Sequence, residues 1–342
     1  MPKFAIMRSL TRLAILVLFL LLPAMRLHAA SDKIGGVSLV SPPRAVDASW
    51  TESVCRLNAG WVSVQPYAFS VQGQPQVHYG GNHQWWGERL DGARELIRHA
   101  HANHLKVMHK PMVWIRGGWV GDYALQTEAD WLTWEQSYTD YILTHARMAQ
   151  EERVELFCIG TEFNAVVMQR PNFWRTLVGE VRKVYAGKVT YAANWDNFHE
   201  VKFWDLLDYI GVDAYFPLSP DKVPSVRSLV RLWKEPGQRI QLLQKFYAKP
   251  VLFTEFGYRS IDHCAWKHWE FEHVPHHEQV NVAAQRNAYH AFFEYYWKHD
   301  WFAGVFIWQW YTNHAKAGGL DNSDFTPQNK PAEELICRWF GW

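Results

Sequence analysis

The chain has 342 residues, with 35 Lys and Arg against 34 Asp and Glu, and a net charge of +1. This balance argues against nucleic acid or an anionic membrane surface as a partner, because both attract concentrated basic patches. The aromatic content is high, with 20 Trp, 15 Tyr and 19 Phe. Most of these side chains should belong to the core, and a few should line a cleft.

Residues 1–30 have the pattern of a secretory signal peptide. Three basic residues, the last of them Arg12, precede the apolar run 13–22, and Ala30 ends a small-residue cleavage point. An uncleaved anchor is the alternative, but this run is short for a membrane span. We therefore expect a secreted or periplasmic protein whose residues 31–342 form one domain, without stable membrane insertion after cleavage. The oligomeric state is open.

The cysteines are sparse and show no metal-type spacing. They are Cys55, Cys158, Cys264 and Cys337. Export would permit a disulfide, but the sequence leaves the pairing open. Cys158 lies within an apolar strand pattern, so we expect it to be a small buried hydrophobic residue.

Short runs of apolar and β-branched residues recur along the chain, and helical patterns lie between most of them. The predicted strands are 34–40, 61–65, 106–109, 155–159, 189–193, 209–212, 250–253 and 304–308. The predicted helices are 89–102, 131–149, 172–185, 226–246 and 280–298, with shorter links at 45–59 and 198–207. Eight strands in β-then-α alternation predict a single-domain (β/α)8 TIM barrel of the α/β class. An open doubly wound sheet is the main rival, but no Gly-rich phosphate fingerprint follows any strand.

Polar and aromatic side chains follow most of the predicted strands, at the ends where barrel enzymes place their chemistry. Glu162 follows strand four and Glu255 follows strand seven, each after a Thr and before a Phe. These strands lie across the mouth of an eight-stranded barrel, so the two carboxyl groups should face each other over a cleft. Such a pair can divide glycoside hydrolysis into protonation and nucleophilic attack. A single strand-end Glu would more simply be a cap or an ion-pair partner, but two at matching positions favour catalysis.

Five segments carry a family resemblance: FCIGTEFN, TYAANWDN, LDYIGVDAYFPL, KPVLFTEFGYRS and GVFIWQW. They resemble segments of glycoside hydrolase family 113, endo-β-mannanases of the clan A barrels, from about strand two to strand eight. The resemblance implies retaining hydrolysis of β-1,4-mannan or related mannosides, with a polysaccharide or oligosaccharide as the substrate. By position, Glu162 would be the general acid/base and Glu255 the nucleophile.

The resemblance also implies roles for two residues beside this pair. Clan A enzymes usually have Asn before the acid/base, where it holds the sugar 2-hydroxyl, but this chain has Thr161. We expect Asn194 after strand five to serve that hydroxyl instead, because an amide both donates and accepts. Tyr215 after strand six resembles the tyrosine that hydrogen-bonds the nucleophile, with packing at the barrel rim as the alternative.

Other strand ends offer further substrate contacts. Trp308 and Trp310 lie near the end of strand eight, and we expect only one to face the cleft because side chains alternate along a strand. Trp308 is the better match to the sugar platform, and Trp310 would then be packing or a neighbouring subsite. Lys110 after strand three is a candidate for holding sugar hydroxyls, and Trp195 for the cleft wall. Asp213 after strand six could accept a hydrogen bond at the barrel mouth or act as a cap.

The 17 histidines raise the question of a metal site. No HExxH, no HxH directly after the first strand and no CxxC pair is present, so we expect no metal and no cofactor. Several histidines crowd the stretch after strand seven, namely His263, His268, His273, His276 and His277. We interpret this stretch as a long polar loop that could cap the cleft.

Other functions compatible with a barrel of this kind are a clan A retaining glycosidase acting on another β-glycan, and a carbohydrate-binding barrel without turnover. Intact Glu162 and Glu255 argue against the second. Metal-dependent hydrolysis would be revealed by loss of activity on chelation. The sequence leaves endo against exo action and the number of subsites open.

Overall fold

The computed structural model describes residues 33–81, 83–267 and 280–342. The predicted signal peptide lies outside the described residues, as do His268, His273, His276 and His277. Within the described ranges, no helix is both long enough and apolar enough to cross a membrane.

The strands alternate with helices along most of the chain. The strands are β1 (Ile34–Leu39), β2 (Trp61–Val64), β3 (Tyr67–Val71), β4 (Lys106–His109), β5 (Met112–Arg116), β6 (Leu156–Thr161), β7 (Lys188–Asn194), β8 (Ile210–Asp213), β9 (Val251–Phe256) and β10 (Phe302–Trp310). The helices are α1 (Trp50–Arg56), α2 (Leu90–Ala102), α3 (Glu128–Glu151), α4 (Asn164–Gln169), α5 (Pro171–Val184), α6 (Val226–Leu232), α7 (Lys234–Tyr247), α8 (Val282–Tyr296) and α9 (Pro331–Phe340). Each of the eight predicted barrel strands overlaps an observed one.

Eight of these strands are parallel and close into a barrel in the order β1-β10-β9-β8-β7-β6-β4-β2. The predicted (β/α)8 architecture is therefore confirmed. Four of the barrel strands, β1, β6, β8 and β9, are buried along their whole length, because helices cover the outside and side chains fill the inside. In β6, Leu156 joins an inner cluster with Met108, Leu252 and Phe306, whereas its neighbour Phe157 packs into the larger outer core. This alternation produces a filled barrel rather than a pore.

One helical prediction needs correction. The predicted helix 226–246 is two helices, α6 and α7, with the completely buried Trp233 between them. Pro236 explains the break, because it has no N–H to donate and is tolerated only in the first turn of a helix. The link between β7 and β8 contains a single 3-10 turn, Trp204–Leu206, in agreement with its shortness in the sequence.

A small two-stranded sheet lies outside the barrel and was not predicted. It pairs β3 with β5 in parallel, with Tyr67 opposite Met112. Each strand continues a barrel strand after an intervening proline, Pro66 after β2 and Pro111 after β4. Since proline cannot donate to a sheet ladder, both barrel strands end there and the chain turns outward at matching positions. This outgrowth carries aromatic side chains to the barrel mouth.

The barrel closes where β1 pairs with β10. Ile34 lies opposite Gly304, whose φ is +143° and whose position leaves no space for a Cβ, since one built there would lie 2.1 Å from the Ile34 carbonyl oxygen. Lys33 reinforces the seam by donating to the carbonyl oxygens of His299 at 2.9 Å and Phe302 at 2.8 Å. Glycine is required here because the two backbones approach each other closely.

Candidate active site

Glu162 lies immediately after β6 at the barrel mouth, in an unusual backbone conformation. Its φ is +54°, in the left-handed region that non-glycine residues seldom adopt. Its N–H donates to the carbonyl oxygen of Ala192 on β7 at 2.8 Å, which holds this conformation in place. A residue kept in a costly conformation of this kind is typical of a functional position. Its side chain is half-buried.

Glu255 lies within β9 and is held by two hydrogen-bond donors. The side chain of Tyr215 donates from its hydroxyl to Glu255 Oε2 at 2.9 Å. The ammonium of Lys110 donates to the other carboxylate oxygen, Oε1. The predicted hydrogen bond from Tyr215 to Glu255 is therefore confirmed. Two charge-assisted or hydroxyl donors on one carboxylate fix its orientation.

Lys110 is completely buried between two carboxylates. Besides Glu255, its ammonium contacts Asp213 at 3.4 Å, and Asp213 also accepts from the Thr254 hydroxyl at 2.7 Å. Lys110 was expected to hold sugar hydroxyls, but its burial and these contacts favour a role in holding the carboxylates. Asp213 was foreseen as a hydrogen-bond acceptor at the mouth, and its partnership with Lys110 was not.

The charged groups of this cluster give the two glutamates different electrostatic surroundings. Burial raises the pKa of Glu162 well above its ordinary value, and the charges of Asp213 and Glu255 add to this, against Lys110 and the Trp119 indole. Burial alone would lower the pKa of Lys110, but Asp213 and Glu255 outweigh it and raise the pKa. Burial and Glu255 raise the pKa of Asp213 despite the nearby ammonium. Glu162 is therefore suited to carry a proton, while Glu255 faces a permanent cation.

Asn194, the residue expected to serve the sugar 2-hydroxyl, lies opposite Asp213 of this cluster in the sheet. Asn194 ends β7 and is 7% exposed, with its Oδ1 accepting from the Trp195 N–H at 2.7 Å. Thr161 precedes Glu162, and its hydroxyl is buried without a hydrogen-bond partner in the described part of the chain. Trp195 is half-buried and packs its ring on Phe216 at 5.8 Å between ring centroids. Contact of Asn194 and Trp195 with substrate stays a prediction.

The two tryptophans of β10 have different environments. Trp308 is partly exposed and lines a groove at the barrel mouth. Trp310 is completely buried and donates from its indole N–H to the Ser53 hydroxyl at 3.1 Å. Its assignment as a substrate-binding residue is therefore wrong, because it belongs to the packing between β10 and α1.

The separation of Trp308 from Trp310 comes from an irregularity in β10. Residues two apart share a face in a regular strand, so alternation alone was not a valid reason to expect different faces. Val37 of β1 pairs with Ile307, but Leu39 pairs with Trp310, so β10 contains one more residue than β1 between these pairs. This bulge places Trp308 and Trp310 in different environments.

We expect the alanine variants of these two tryptophans to affect different properties of the protein, one its stability and the other its activity. Trp310→Ala should lower the free energy of unfolding by about 3–5 kcal/mol, since it leaves a large cavity. Trp308→Ala should leave stability nearly unchanged and lower kcat/KM on oligosaccharides about tenfold or more through loss of a stacking surface. Urea unfolding and steady-state kinetics on both variants test this, and equal stability losses would contradict it.

A groove beside Trp308 extends along the β1 and β2 side of the mouth. Its cavity volume is about 380 Å³, and its lining includes Tyr67, Phe69, Trp85, Trp114, Trp308 and Glu88. A second cavity of about 350 Å³ adjoins it and shares Trp85, with polar side chains such as Asn313 and Asp324. An aromatic groove leading to polar groups suits a carbohydrate chain.

The exposed tryptophans of this region were not predicted from the sequence. Trp85 and Trp114 are 50% and 52% exposed, and Trp119 is 42% exposed. The sequence contains several tryptophans after the second and third predicted strands, but this density is equally compatible with tryptophans that pack in the core. Among the residues that the structure describes, no three His, Cys, Asp or Glu side chains are grouped to hold a metal ion.

Comparisons with known proteins agree on one family. The model of Glycoside Hydrolase Family 113 matches residues 50–330. A solved GH113 β-1,4-mannanase is 27% identical, with a TM-score of 0.78 over 90% of this chain and 98% of that chain. The GH113 β-mannanase AaManA from Alicyclobacillus acidocaldarius is 25% identical, with a TM-score of 0.78 over 90% of this chain and 97% of that chain.

More distant structures share the fold alone. A β-glucuronidase from Faecalibacterium prausnitzii is 15% identical, with a TM-score of 0.59 over 90% of this chain and 48% of that chain. No match was found among curated protein sequences.

Proposed function

The chain belongs to Glycoside Hydrolase Family 113, and on this premise we propose that it is a retaining endo-β-mannanase that cleaves β-1,4-mannosidic bonds by double displacement. The observation that carries the proposal is the pair Glu162, directly after β6, and Glu255, on β9, with two strands between them and in different electrostatic surroundings. Two solved β-mannanases of the family, each matched over nearly its whole length, support the choice of substrate.

In the first step Glu255 attacks the anomeric carbon while Glu162 donates its proton to the glycosidic oxygen. The bond to the leaving sugar breaks, and a glycosyl ester forms on Glu255. In the second step Glu162, now ionised, removes a proton from water, which displaces Glu255. Tyr215 and Lys110 hold the attacking carboxylate throughout. The carboxyl of Glu162 must gain and lose one proton per turnover, in agreement with the raised pKa of that group.

Subsites follow from the same geometry. Trp308 would lie under the sugar at the cleavage point, and Asn194 would serve its 2-hydroxyl, with Trp195 in the cleft wall. The groove of Tyr67, Trp85 and Trp114 would bind further sugars of the chain. An open groove that continues past Trp308 favours endo action, because a closed pocket is what an exo enzyme needs to capture a chain end.

Hydrolysis of β-1,4-mannan oligosaccharides, followed by ¹H NMR at early times, tests the function. We expect the β-anomer of the new reducing end to form first and internal bonds of mannohexaose to be cut. First formation of the α-anomer would contradict retention. No turnover on mannan, together with hydrolysis of another β-glycan, would preserve the mechanism and change the substrate. No turnover on any β-glycan would support a binding barrel.

We also propose export, with residues 1–30 as the signal peptide and a mature domain beginning near residue 31. The support is the charged, apolar and small-residue order of that segment. The mass of the protein recovered outside the cytoplasm tests this, and a product that still contains the apolar run 13–22 would indicate an anchor.

A further inference from the structure

Trp119 lies in the loop after β5 and is supported from beneath by a glycine. A Cβ built on Gly121 would lie 2.3 Å from two carbons of the Trp119 six-membered ring, so the ring packs directly on this glycine. The loop is fastened to the outgrowth by Gln72, whose side-chain amide donates to the Asp122 carbonyl oxygen at 2.9 Å. The indole therefore has a defined position, although 42% of the residue is exposed.

The edge of this indole contacts the proposed acid/base. Its N–H donates to Glu162 Oε2 at 3.4 Å, and this bond opposes the burial that raises the pKa of Glu162. An indole N–H can donate but cannot accept. It therefore interacts more strongly with the ionised carboxylate than with the protonated carboxyl group.

The exposed face of the indole borders the place where the leaving group must lie. Glu162 donates its proton to the glycosidic oxygen, so the leaving sugar is attached to the atom that Glu162 touches. A ring in contact with Glu162, and exposed beyond it, lies next to that sugar. Pyranose C–H faces pack well on the face of an indole ring.

We propose that Trp119 is a positioning and substrate-binding residue with two functions: its N–H orients the carboxyl group of Glu162, and its exposed face binds the first sugar of the leaving group. This inference rests on the proposed function of Glu162 as acid/base. It links occupation of the leaving-group subsite to the group that protonates the leaving group.

Two variants distinguish the contribution of the indole N–H from that of the stacking surface of the ring. Trp119→Phe removes the N–H and keeps an aromatic ring, so the alkaline limb of the kcat/KM profile should move to higher pH. Trp119→Ala also removes the stacking surface, so kcat/KM on mannotetraose should fall about tenfold or more. With β-mannobiosyl fluoride, whose leaving group needs neither a proton nor a ring to stack on, kcat/KM should change less than about twofold.

Two further variants test the contact: the first is a matched control, and the second should reproduce the effect of Trp119→Phe. Trp114→Phe changes another exposed tryptophan of the outgrowth, whose ring packs on Phe69, and should leave the alkaline limb in place. Gly121→Ala should displace the Trp119 ring from beneath and move the limb in the same direction as Trp119→Phe. Equal losses on mannotetraose and on the fluoride would indicate a purely structural effect and overturn the proposal.

A measurement without substrate separates this inference from the proposed function. With ¹³C-carboxyl-labelled glutamate, the Glu162 signal can be identified by its absence in Glu162→Gln and titrated by NMR. In Trp119→Phe the titration should occur at higher pH than in the wild type. An unchanged titration overturns the proposal even if the enzyme is an active mannanase, whereas a shifted titration in an enzyme inactive on mannan would leave the contact established and the substrate in question.

Discussion

Glu255→Gln is expected to reduce kcat on mannan oligosaccharides by at least about 10⁴-fold. The amide retains the shape of the side chain and can still accept from Tyr215, but it cannot form the glycosyl ester on which retention depends. Steady-state kinetics measure the loss, and circular dichroism checks that the variant folds. Glu180→Gln, the same change at an exposed ion pair with Lys183, should leave kcat unchanged.

The roles of the two carboxylates are then separated by chemical rescue with azide. In Glu162→Ala the glycosyl ester still forms from an activated mannoside, and azide should displace it to give the β-glycosyl azide. In Glu255→Ala azide occupies the position of the missing nucleophile and should give the α-glycosyl azide. The reverse pattern would exchange the two roles, and full activity in either variant would exclude the mechanism.

Lys110→Met is expected to lower the free energy of unfolding by about 3–5 kcal/mol, because it leaves Asp213 and Glu255 buried without their cation. Activity should fall as well, since the two carboxylates repel each other and Glu255 loses a donor. Urea unfolding measures the stability change. Lys183→Met, at the exposed pair with Glu180, should change stability by no more than about 0.5 kcal/mol.

The double variant Lys110→Met/Asp213→Asn tests whether charge is the cause. Removing the Asp213 charge should restore part of the lost stability, so the two changes should not be additive. Additive losses would mean that Lys110 contributes by packing its methylene chain rather than by its ammonium. Activity should not return with stability, because Glu255 would still lack its second donor.

The barrel was predictable because parallel strands covered on both faces appear as short uninterrupted apolar runs. The outgrowth of β3 and β5 was not predictable, since each of its strands follows a barrel strand after only two residues, the second of them a proline. Strands β3 and β5 can pair, with Tyr67 opposite Met112, only because the chain turns in the same direction after Pro66 and after Pro111. No local pattern contains that information.

The location of the candidate site was predictable where it depends on a residue's place in the barrel. Glu162, Glu255 and Tyr215 lie at or near the ends of the fourth, seventh and sixth predicted strands, and this order alone predicted that they surround one mouth. Lys110 also follows a barrel strand, but its partners come from two other strands, so its burial between carboxylates could not be deduced from its own segment. Trp119 lies in the loop that follows β5 of the outgrowth, and the outgrowth was itself not predicted.

The seam between β1 and β10 has a consequence for how the chain reaches its folded state. Lys33 and its acceptor on Phe302 are 269 residues apart. The edge of β1 that pairs with β10 therefore has no partner until this last barrel strand has been synthesised. Contacts of such long sequence separation form slowly, and an open sheet edge is a surface to which other chains can add. Barrel closure is therefore a late event in folding. The yield of folded enzyme depends on protection of the open edge of β1 until Gly304 of β10 pairs with Ile34.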